Sequence, residues 1–370
     1  MISFYITVLL LSIGPVNAQI ADRSATRETQ YLFANLHKQL GKGIMIGHQD
    51  DLAYGVGWEY KAGRSDVKET TGQYPAVYGW ELGRLEIDSL VNLDGVPFYK
   101  MKQFIKEAYE RGGVITISWH LNNPLTGKSA WDPGPGTVES VLPGGEKNEL
   151  YKSWLDKVAA FMLDLKGKDG EYIPVIFRPF HELNGSWFWW GKNHCTPEQL
   201  KQLYRFTETY LRDIKKVHNL LYAFNTDRFS STEDYLERYP GDEYVDVIGF
   251  DIYQKGDILS NDKFIAEVDK SLTMIEKIAT AKNKVPALTE FGYNTIPDAG
   301  WWTGVLNKAM GKHAIAYALA WRNAGKKPNN GMEFYVPYKG QVSATDFKNF
   351  SLLDKMIFEN MAKQNKLYRK

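Results

Sequence analysis

Two glutamates each follow a short apolar segment, and together they could break a glycosidic bond. Glu182 lies in the run Arg-Pro-Phe-His-Glu-Leu-Asn-Gly at 178–185, and Glu290 lies in Thr-Glu-Phe-Gly at 289–292. Glycoside hydrolysis usually needs one protonated carboxyl to assist the departing oxygen and one ionised carboxyl to attack or to activate water. Strand alternation would put Arg178 on the face of Glu182, so Arg178 could keep one carboxyl ionised while burial keeps the other protonated.

Other polar side chains also end apolar segments. Alternation predicts that Phe180 shares the face of Arg178 and Glu182, and that Asp251 shares a face with Tyr253. Spacing alone does not exclude three other carboxylates as members of the catalytic pair, namely Asp251, Glu86 and Asp50.

The elements that would position these residues alternate along the chain. Eight short apolar, β-branched segments are separated by helical patterns, and this alternation predicts a single (β/α)8 TIM barrel with long loops at its C-terminal face. No Gly-x-Gly-x-x-Gly follows any of them, so nothing supports a dinucleotide-binding sheet. The segments are 44–46, 76–78, 114–118, 175–177, 220–224, 245–250, 286–289 and 315–319.

Two stretches between the strands carry further signals. Residues 124–145 are rich in Gly and Pro, which predicts a long surface loop that walls the cleft. Thr-Pro-Glu-Gln at 196–199 is typical of a capping box that opens a helix to about His218. No linker marks a second domain, so residues 19–370 are predicted to form one catalytic domain.

Composition and net charge limit the classes of molecule that the protein is expected to bind. Of the 370 residues, 44% are hydrophobic and the formal net charge is +1, which favours a packed protein with a neutral ligand. No global field favours nucleic acid or an anionic membrane. Nothing in the sequence argues for an oligomer, so we expect a monomer.

The first 18 residues are predicted to be a signal peptide. An apolar run at 4–13 is followed by Val-Asn-Ala at 16–18, the small-x-small pattern of a cleavage site. The run is too short to span a bilayer. The only cysteine, Cys195, lies far from the signal junction, where a bacterial lipid anchor would require it. We therefore expect an exported protein, periplasmic or secreted, without a membrane anchor.

The motifs resemble those of the glycoside hydrolase family 26 β-mannanases over roughly residues 47–323. The Arg-Pro-x-His-Glu-x-Asn-Gly run is the most specific match, and Thr-Glu-Phe-Gly, Asp-Ile-Tyr at 251–253 and Trp-Arg-Asn at 321–323 agree in order. The resemblance implies a (β/α)8 barrel, a retaining double displacement and no metal or organic cofactor. It implies that Glu182 is the acid/base, that Glu290 is the nucleophile, and that β-mannan polysaccharide or manno-oligosaccharides are the substrate.

The resemblance also implies substrate-binding or supporting roles for further residues. His181 and Arg178 would orient the carboxyls, Tyr253 would contact the nucleophile, and His120 would bind a sugar hydroxyl. Trp187 and Trp321 would be platforms on which sugar rings stack. In the run of four aromatics at 187–190, Phe188 or Trp189 is expected to be core. The remaining supporting residues are Asp251 and Arg322.

Three alternatives stay open at this stage. The enzyme could cleave another β-glycan, such as mixed-linkage β-glucan or β-xylan, or the barrel could bind glycan without cleaving it. A metal-dependent hydrolase would instead use histidines and an aspartate as ligands. Whether the cleavage is endo or exo, and whether galactose branches are tolerated, is left open. The candidate metal ligands are His48, His120, His181 and Asp251.

Overall fold

The computed structural model describes residues 19–328 and 331–370, and their centre is a closed barrel of eight parallel strands. Each strand pairs with its neighbours in chain order, and the eighth strand pairs with the first to close the barrel. Each of the eight predicted segments overlaps one of these strands, so the predicted (β/α)8 barrel is confirmed. The strands are β1 Ile44–Gln49, β2 Val77–Glu81, β3 Val114–Trp119, β4 Val175–Pro179, β5 Leu220–Thr226, β6 Val247–Gln254, β7 Val285–Tyr293 and β8 Tyr317–Ala320.

Helices surround the barrel. Their amphipathic patterns bury one face against the strands, as the period of 3.6 residues predicts. The helices are α1 Arg27–Gln39, α2 Asp66–Thr71, α3 Phe98–Glu110, α4 Thr137–Val141, α5 Asn148–Asp164, α6 Pro197–Thr209, α7 Thr232–Leu236, α8 Asn261–Lys282, α9 Asn307–Met310, α10 Ala344–Ser351 and α11 Glu359–Gln364. In the described part of the chain, 3-10 turns occur at Leu85–Ile87, Asp242–Tyr244 and Ile258–Ser260, and π-helical turns occur at Tyr210–Ile214 and Trp302–Leu306.

The long loops of the C-terminal face carry small elements of their own. Strands Tyr54–Gly55 and Trp58–Glu59 form one hairpin after β1, and Gly325–Lys326 and Met332–Glu333 form another after β8. A further short strand, Met356–Ile357, pairs with the start of β1. Within the predicted loop at 124–145 the chain forms the short helix α4, so the prediction that this stretch lacks helix is wrong over that single turn.

The capping prediction is confirmed at α6. Thr196 accepts a hydrogen bond from the Gln199 backbone, and the Gln199 side chain accepts one from the Thr196 backbone. This exchange satisfies two of the amide donors that every helix start leaves free. The helix continues through the π-helical turn and ends before His218.

Helix α1 closes the N-terminal end of the barrel. Its fully buried Leu32 and Leu36 pack with inward-facing strand residues such as Met45 and Leu221. The Thr26 side chain caps the helix, and its backbone N–H donates to His218 at the entry to β5. Helix α1 therefore closes the N-terminal face of the barrel, and a cleft can form only at the C-terminal face, where the strands end.

The predicted signal peptide at 1–18 lies outside the described residues. Among the helices of residues 19–328 and 331–370, none has both the length and the apolar run that crossing a membrane requires.

We expect Leu36→Ala to lower the free energy of unfolding by about 2–5 kcal/mol, because it leaves a cavity between α1 and the barrel interior. The matched control is Leu90→Ala, since Leu90 is 85% exposed and its truncation should change stability by no more than about 0.5 kcal/mol. Urea denaturation followed by tryptophan fluorescence measures both. Equal losses in the two variants would show that α1 does not stabilise the barrel.

Candidate active site

A buried arginine lies at the centre of the barrel mouth. Arg178 is near the end of β4, is 1% exposed, and donates from Nη1 to Asp251 Oδ2 at 2.8 Å. Its Nη2 donates to Glu290 Oε2 at 2.6 Å. A guanidinium presents its donors in a rigid planar fork, so these two contacts fix the carboxyls of β6 and β7 relative to β4.

Glu290 is held at both oxygens. Oε2 accepts from Arg178, and Oε1 accepts from the hydroxyl of Tyr253 on β6. A β-bulge precedes it, because Phe250 pairs with Leu288 whereas Asp251 pairs with Glu290. Bulges re-aim the side chains that follow them, so the extra residue of β7 contributes to the direction of Glu290. The residue is 4% exposed, and the two contacts fix the direction of its carboxyl.

Asp251 supports Arg178 and has little capacity left for other chemistry. It is fully buried, and its Oδ2 also accepts from Asn225 Nδ2 at 2.7 Å. Its Oδ1 accepts from Thr289 Oγ1 at 2.9 Å. A carboxylate with both oxygens occupied in this way is a positioning group.

Glu182 lies in the irregular turn after β4. Phe180 has φ 53° and Glu182 has φ 52°, both in the left-handed region that non-glycine residues rarely adopt. The strand alternation therefore stops at Pro179, and the prediction that Phe180 shares the face of Arg178 is wrong. Phe180 is buried instead in the outer core against Trp189 and Trp190, while Glu182 is turned to the barrel mouth.

The surroundings of Glu182 favour its protonated form. Burial, followed by the negative charges of Glu290 and Asp227, raises the pKa of Glu182 to about 8. Trp187 opposes this, because its Nε1 donates to Glu182 Oε2 at 2.6 Å. One oxygen each of Glu182, Glu290 and Asp251 lies within 4.8 Å of the others. The site thus contains a proton-bearing carboxyl next to a carboxyl that accepts a hydrogen bond from a cation.

Two histidines extend this network. His120 Nε2 and His181 Nε2 are 2.9 Å apart, and His120 Nδ1 is 2.8 Å from Glu81 Oε2. Burial would lower the pKa of His120, but the Glu81 carboxylate outweighs burial and raises it. Burial, together with the charges of His120 and Arg178, holds the pKa of His181 well below its usual value.

Aromatic rings border the cleft. Trp131, from the predicted loop at 124–145, is 47% exposed and stacks on His120 with ring centroids 5.1 Å apart. The half-buried Trp321 is 6.4 Å from the His120 ring, and Trp187 is 38% exposed above Glu182. As expected for the aromatic run, Phe188 and Trp189 are core residues.

Arg322 lies apart from the two glutamates. It forms ion pairs with Asp94 and with Glu333 of the hairpin after β8. It lines a separate cavity of about 450 Å³ together with Tyr54 and Trp58. No contact between Arg322 and Glu182 or Glu290 is found among the described side chains, so Arg322 is not part of the carboxyl cluster.

The four candidate metal ligands do not form one group. His48 pairs with Asp51 at 2.7 Å, whereas Asp251 is occupied by Arg178. Within residues 19–328 and 331–370, the acidic or histidine cluster compact enough to hold an ion consists of Glu182, Asp251 and Glu290. Arg178 already supplies positive charge to two of these carboxylates, so the site does not fit the alternative of a histidine-ligated metal.

The rival carboxylates have structural partners. Glu86 accepts from Trp119 Nε1 and from the Asn122 backbone, and Asp50 accepts from the Tyr54 hydroxyl. Both are buried, and neither belongs to the carboxyl cluster at the barrel mouth.

Sequence reasoning missed two residues next to His120. Glu81 ends β2, so the rule that reads strand ends would have found it had it been applied to the second strand. Trp131 carries no such signal, because its position depends on the path of a long loop. Both residues contact a histidine that the sequence did single out.

A closed parallel barrel has two neighbouring carboxyls at its C-terminal face, one with a raised pKa and the other bonded to a guanidinium, and this arrangement is typical of a glycoside hydrolase. Comparisons with known proteins agree with this class: residues 21–321 match the family model described as Glycosyl hydrolase family 26. This chain belongs to glycosyl hydrolase family 26.

Similar proteins cover most of the chain. A mannan endo-1,4-beta-mannosidase of Bifidobacterium adolescentis is 36% identical over 359 residues, which are 90% of this chain but 35% of that protein. The structure of a GH26 beta-mannanase from Bacteroides ovatus is 46% identical, covers 90% of this chain and 96% of its own, and superposes with a TM-score of 0.87. The catalytic domain of the Bacillus sp. JAMB-750 GH26 endo-beta-1,4-mannanase is 34% identical, with coverages of 95% and 96% and the same TM-score.

We expect Trp187→Phe to raise the pKa of Glu182 above about 8, because a donor to the carboxylate stabilises the ionised form and the variant removes that donor. Nuclear magnetic resonance of protein labelled with ¹³C at the glutamate Cδ would follow this titration without substrate, with Glu182→Gln for assignment.

Trp131→Phe is the control for this titration, since Trp131 borders the same cleft but stacks on His120. It should leave the Glu182 midpoint in place. A downward shift in Trp187→Phe, or equal shifts in both variants, would contradict the role of the indole hydrogen bond.

Proposed function

We propose that this glycoside hydrolase cleaves β-1,4-mannosidic linkages in mannan, galactomannan or glucomannan by a retaining double displacement. The observation that carries the mechanism is the pairing of Glu182 and Glu290, which have oxygens within 4.8 Å of each other and opposite surroundings. The substrate class rests on the similar proteins, whose names describe mannanases.

Each glutamate has a distinct step. Glu290 attacks the anomeric carbon while Glu182 gives its proton to the departing glycosidic oxygen, and a glycosyl-enzyme ester forms at Glu290. Glu182, now a carboxylate, takes a proton from water, whose oxygen attacks the same carbon and releases Glu290. The pKa of about 8 at Glu182 keeps the acid protonated at neutral pH, and it remains close enough to neutrality to act as the base.

The narrow gap between the carboxyls favours retention. Retaining glycosidases keep their carboxyls about 5–5.5 Å apart, whereas inverting enzymes leave about 6.5–9.5 Å for a water molecule. The 4.8 Å limit on the distance between oxygens supports the shorter geometry.

The neighbouring residues would position these groups and the sugar. Arg178 and Tyr253 hold Glu290, and Asp251 holds Arg178. The remaining roles are assigned to residues at the cleft: Trp187 and Trp321 as stacking platforms, and His181 as an orienting group beside Glu182. Both ring nitrogens of His120 already have partners, so His120 would bind a sugar hydroxyl only where that hydroxyl replaces His181 at Nε2.

We expect Glu182→Gln and Glu290→Gln each to lower the rate of reducing-end release from linear β-1,4-mannan by about 10²–10⁴-fold or more, because each removes one catalytic carboxyl. Glu208→Gln is the control, since Glu208 is another buried glutamate but pairs with Arg212 outside the site. Retention of full activity in either active-site variant would refute the assignment.

The same incubation tests the stereochemistry of cleavage and the choice of glycan substrate. Proton nuclear magnetic resonance should show the β-anomer of the new reducing end first, and early appearance of the α-anomer would refute retention. Turnover of mixed-linkage β-glucan or β-xylan in place of mannan would reassign the substrate. Absence of turnover on all three, with glycan binding retained, would support a binding-only barrel.

We also propose that the chain is exported and cleaved after Ala18. N-terminal sequencing of the protein recovered from the periplasm or medium of an expressing bacterium should begin at Gln19. Recovery of the protein only from the cytoplasm, with Met1 or Ile2 at its start, would refute export.

A further inference from the structure

A buried glutamate next to the cleft has no role in the mechanism described above. Glu81 ends β2, is fully buried, and accepts four hydrogen bonds. Its Oε1 accepts from the backbone N–H groups of Gly83 at 2.5 Å and His120 at 2.6 Å. Its Oε2 accepts from Ser118 Oγ at 2.6 Å and faces His120 Nδ1 at 2.8 Å.

The contacts determine where the protons lie. Glu81 is a carboxylate with donors at both oxygens, so His120 Nδ1 must carry the proton of their shared hydrogen bond. Burial alone would raise the pKa of Glu81, but the charge of His120 and the hydrogen bonds to the carboxylate lower it to about 2. At the other side of the ring, His120 Nε2 and His181 Nε2 share one proton. If His120 donates it, His120 is an imidazolium and His181 is neutral.

The charges around His120 favour that arrangement. Acidic groups face it from three elements: Glu81 from β2, Asp94 from the loop after β2, and Glu290 from β7. His181 and Glu182 face it from the turn after β4, and the pKa of His181 lies well below its usual value. The other neighbours of the ring are the aromatic side chains Trp131, Phe188 and Trp321.

We propose that Glu81 is a positioning residue of the reaction, holding His120 as a cation that donates to His181 and keeps positive charge beside Glu182. This inference rests on the proposed function, since it assigns Glu81 a part in the proton transfer by Glu182. When Glu182 gives its proton to the leaving oxygen it becomes a carboxylate, and the nearby imidazolium stabilises that charge. Glu81 acts only through His120 and touches no reacting atom.

The chain offers a matched control in Glu86. Like Glu81, it is a buried carboxylate that accepts hydrogen bonds from the C-terminal end of β3, in this case from Trp119 and Asn122. It contacts no histidine among the described residues. Glu81→Gln and Glu86→Gln therefore remove the same charge and leave the same shape, but only the first changes the partner of His120.

The first measurement uses the wild-type protein without substrate. ¹⁵N histidine resonances, assigned with His120→Asn, should show His120 titrating above the midpoint of a model histidine peptide. The midpoint should fall in Glu81→Gln and stay unchanged in Glu86→Gln. A wild-type His120 that is neutral at or below the model midpoint overturns the proposal, even if the variants do not fold.

The second measurement compares leaving groups. With manno-oligosaccharides, whose departing sugar needs a proton, kcat/KM should fall on the order of tenfold to a hundredfold in Glu81→Gln. With a dinitrophenyl mannobioside, whose leaving group needs no proton, kcat/KM should change by less than about threefold. Equal losses on both substrates, or an equal loss in Glu86→Gln, would show a merely structural role and overturn the proposal.

The two proposals fail in different ways. If wild-type protein does not cleave either mannoside, the proposed function fails, and the histidine titration still decides whether Glu81 holds His120 charged. If wild-type protein cleaves both but Glu81→Gln behaves like Glu86→Gln, the function stands and the role of Glu81 falls.

Discussion

The active site depends on one buried guanidinium shared by two carboxylates. Arg178 reaches from β4 to Asp251 on β6 and to Glu290 on β7, so three strands that are distant in sequence meet at one side chain. A closed barrel makes this possible, because inward-facing strand ends converge at its mouth. A buried charge without partners would be strongly destabilising, so the fold and the orientation of Glu290 are stabilised by the same contacts.

The structure gives two identical side chains different chemical properties. Glu290 is held by a cation and a phenol, whereas Glu182 is desolvated and lies near the negative charges of Glu290 and Asp227. The difference between Glu182 and Glu290 does not come from the glutamate side chains themselves. It comes from the elements that carry them: β7 delivers Glu290 to Arg178, and the left-handed turn after β4 delivers Glu182 to Trp187. Asymmetric placement thus separates the proposed acid from the proposed nucleophile.

The features that the sequence predicted correctly are those that depend on residue periodicity and on local hydrogen bonding. The eight strands, the capped helix α6 and the joint position of Asp251 and Tyr253 all depend on alternation or on local hydrogen bonding, which neighbouring residues determine. The bulge at Thr289 and the positive φ of Phe180 and Glu182 break the alternation, and tertiary contacts impose them. Arg178 and Glu182 both lie at the site, as the sequence predicted. The reason given, strand alternation, does not apply, because the alternation stops at Pro179, between the two residues.

Under the proposed mechanism, Trp187 would contact both the sugar and the proton donor. Its indole is exposed enough to meet a sugar, and its N–H is bonded to Glu182. A ligand that pushes or tilts this ring therefore also alters how tightly Glu182 holds its proton. The affinity for the sugar and the pKa of Glu182 would both depend on the Trp187 side chain, so a substitution at this position changes both together. A substitution of Trp187 that strengthens sugar binding would therefore also change the pKa of Glu182, and a second substitution in the barrel mouth would have to restore that pKa.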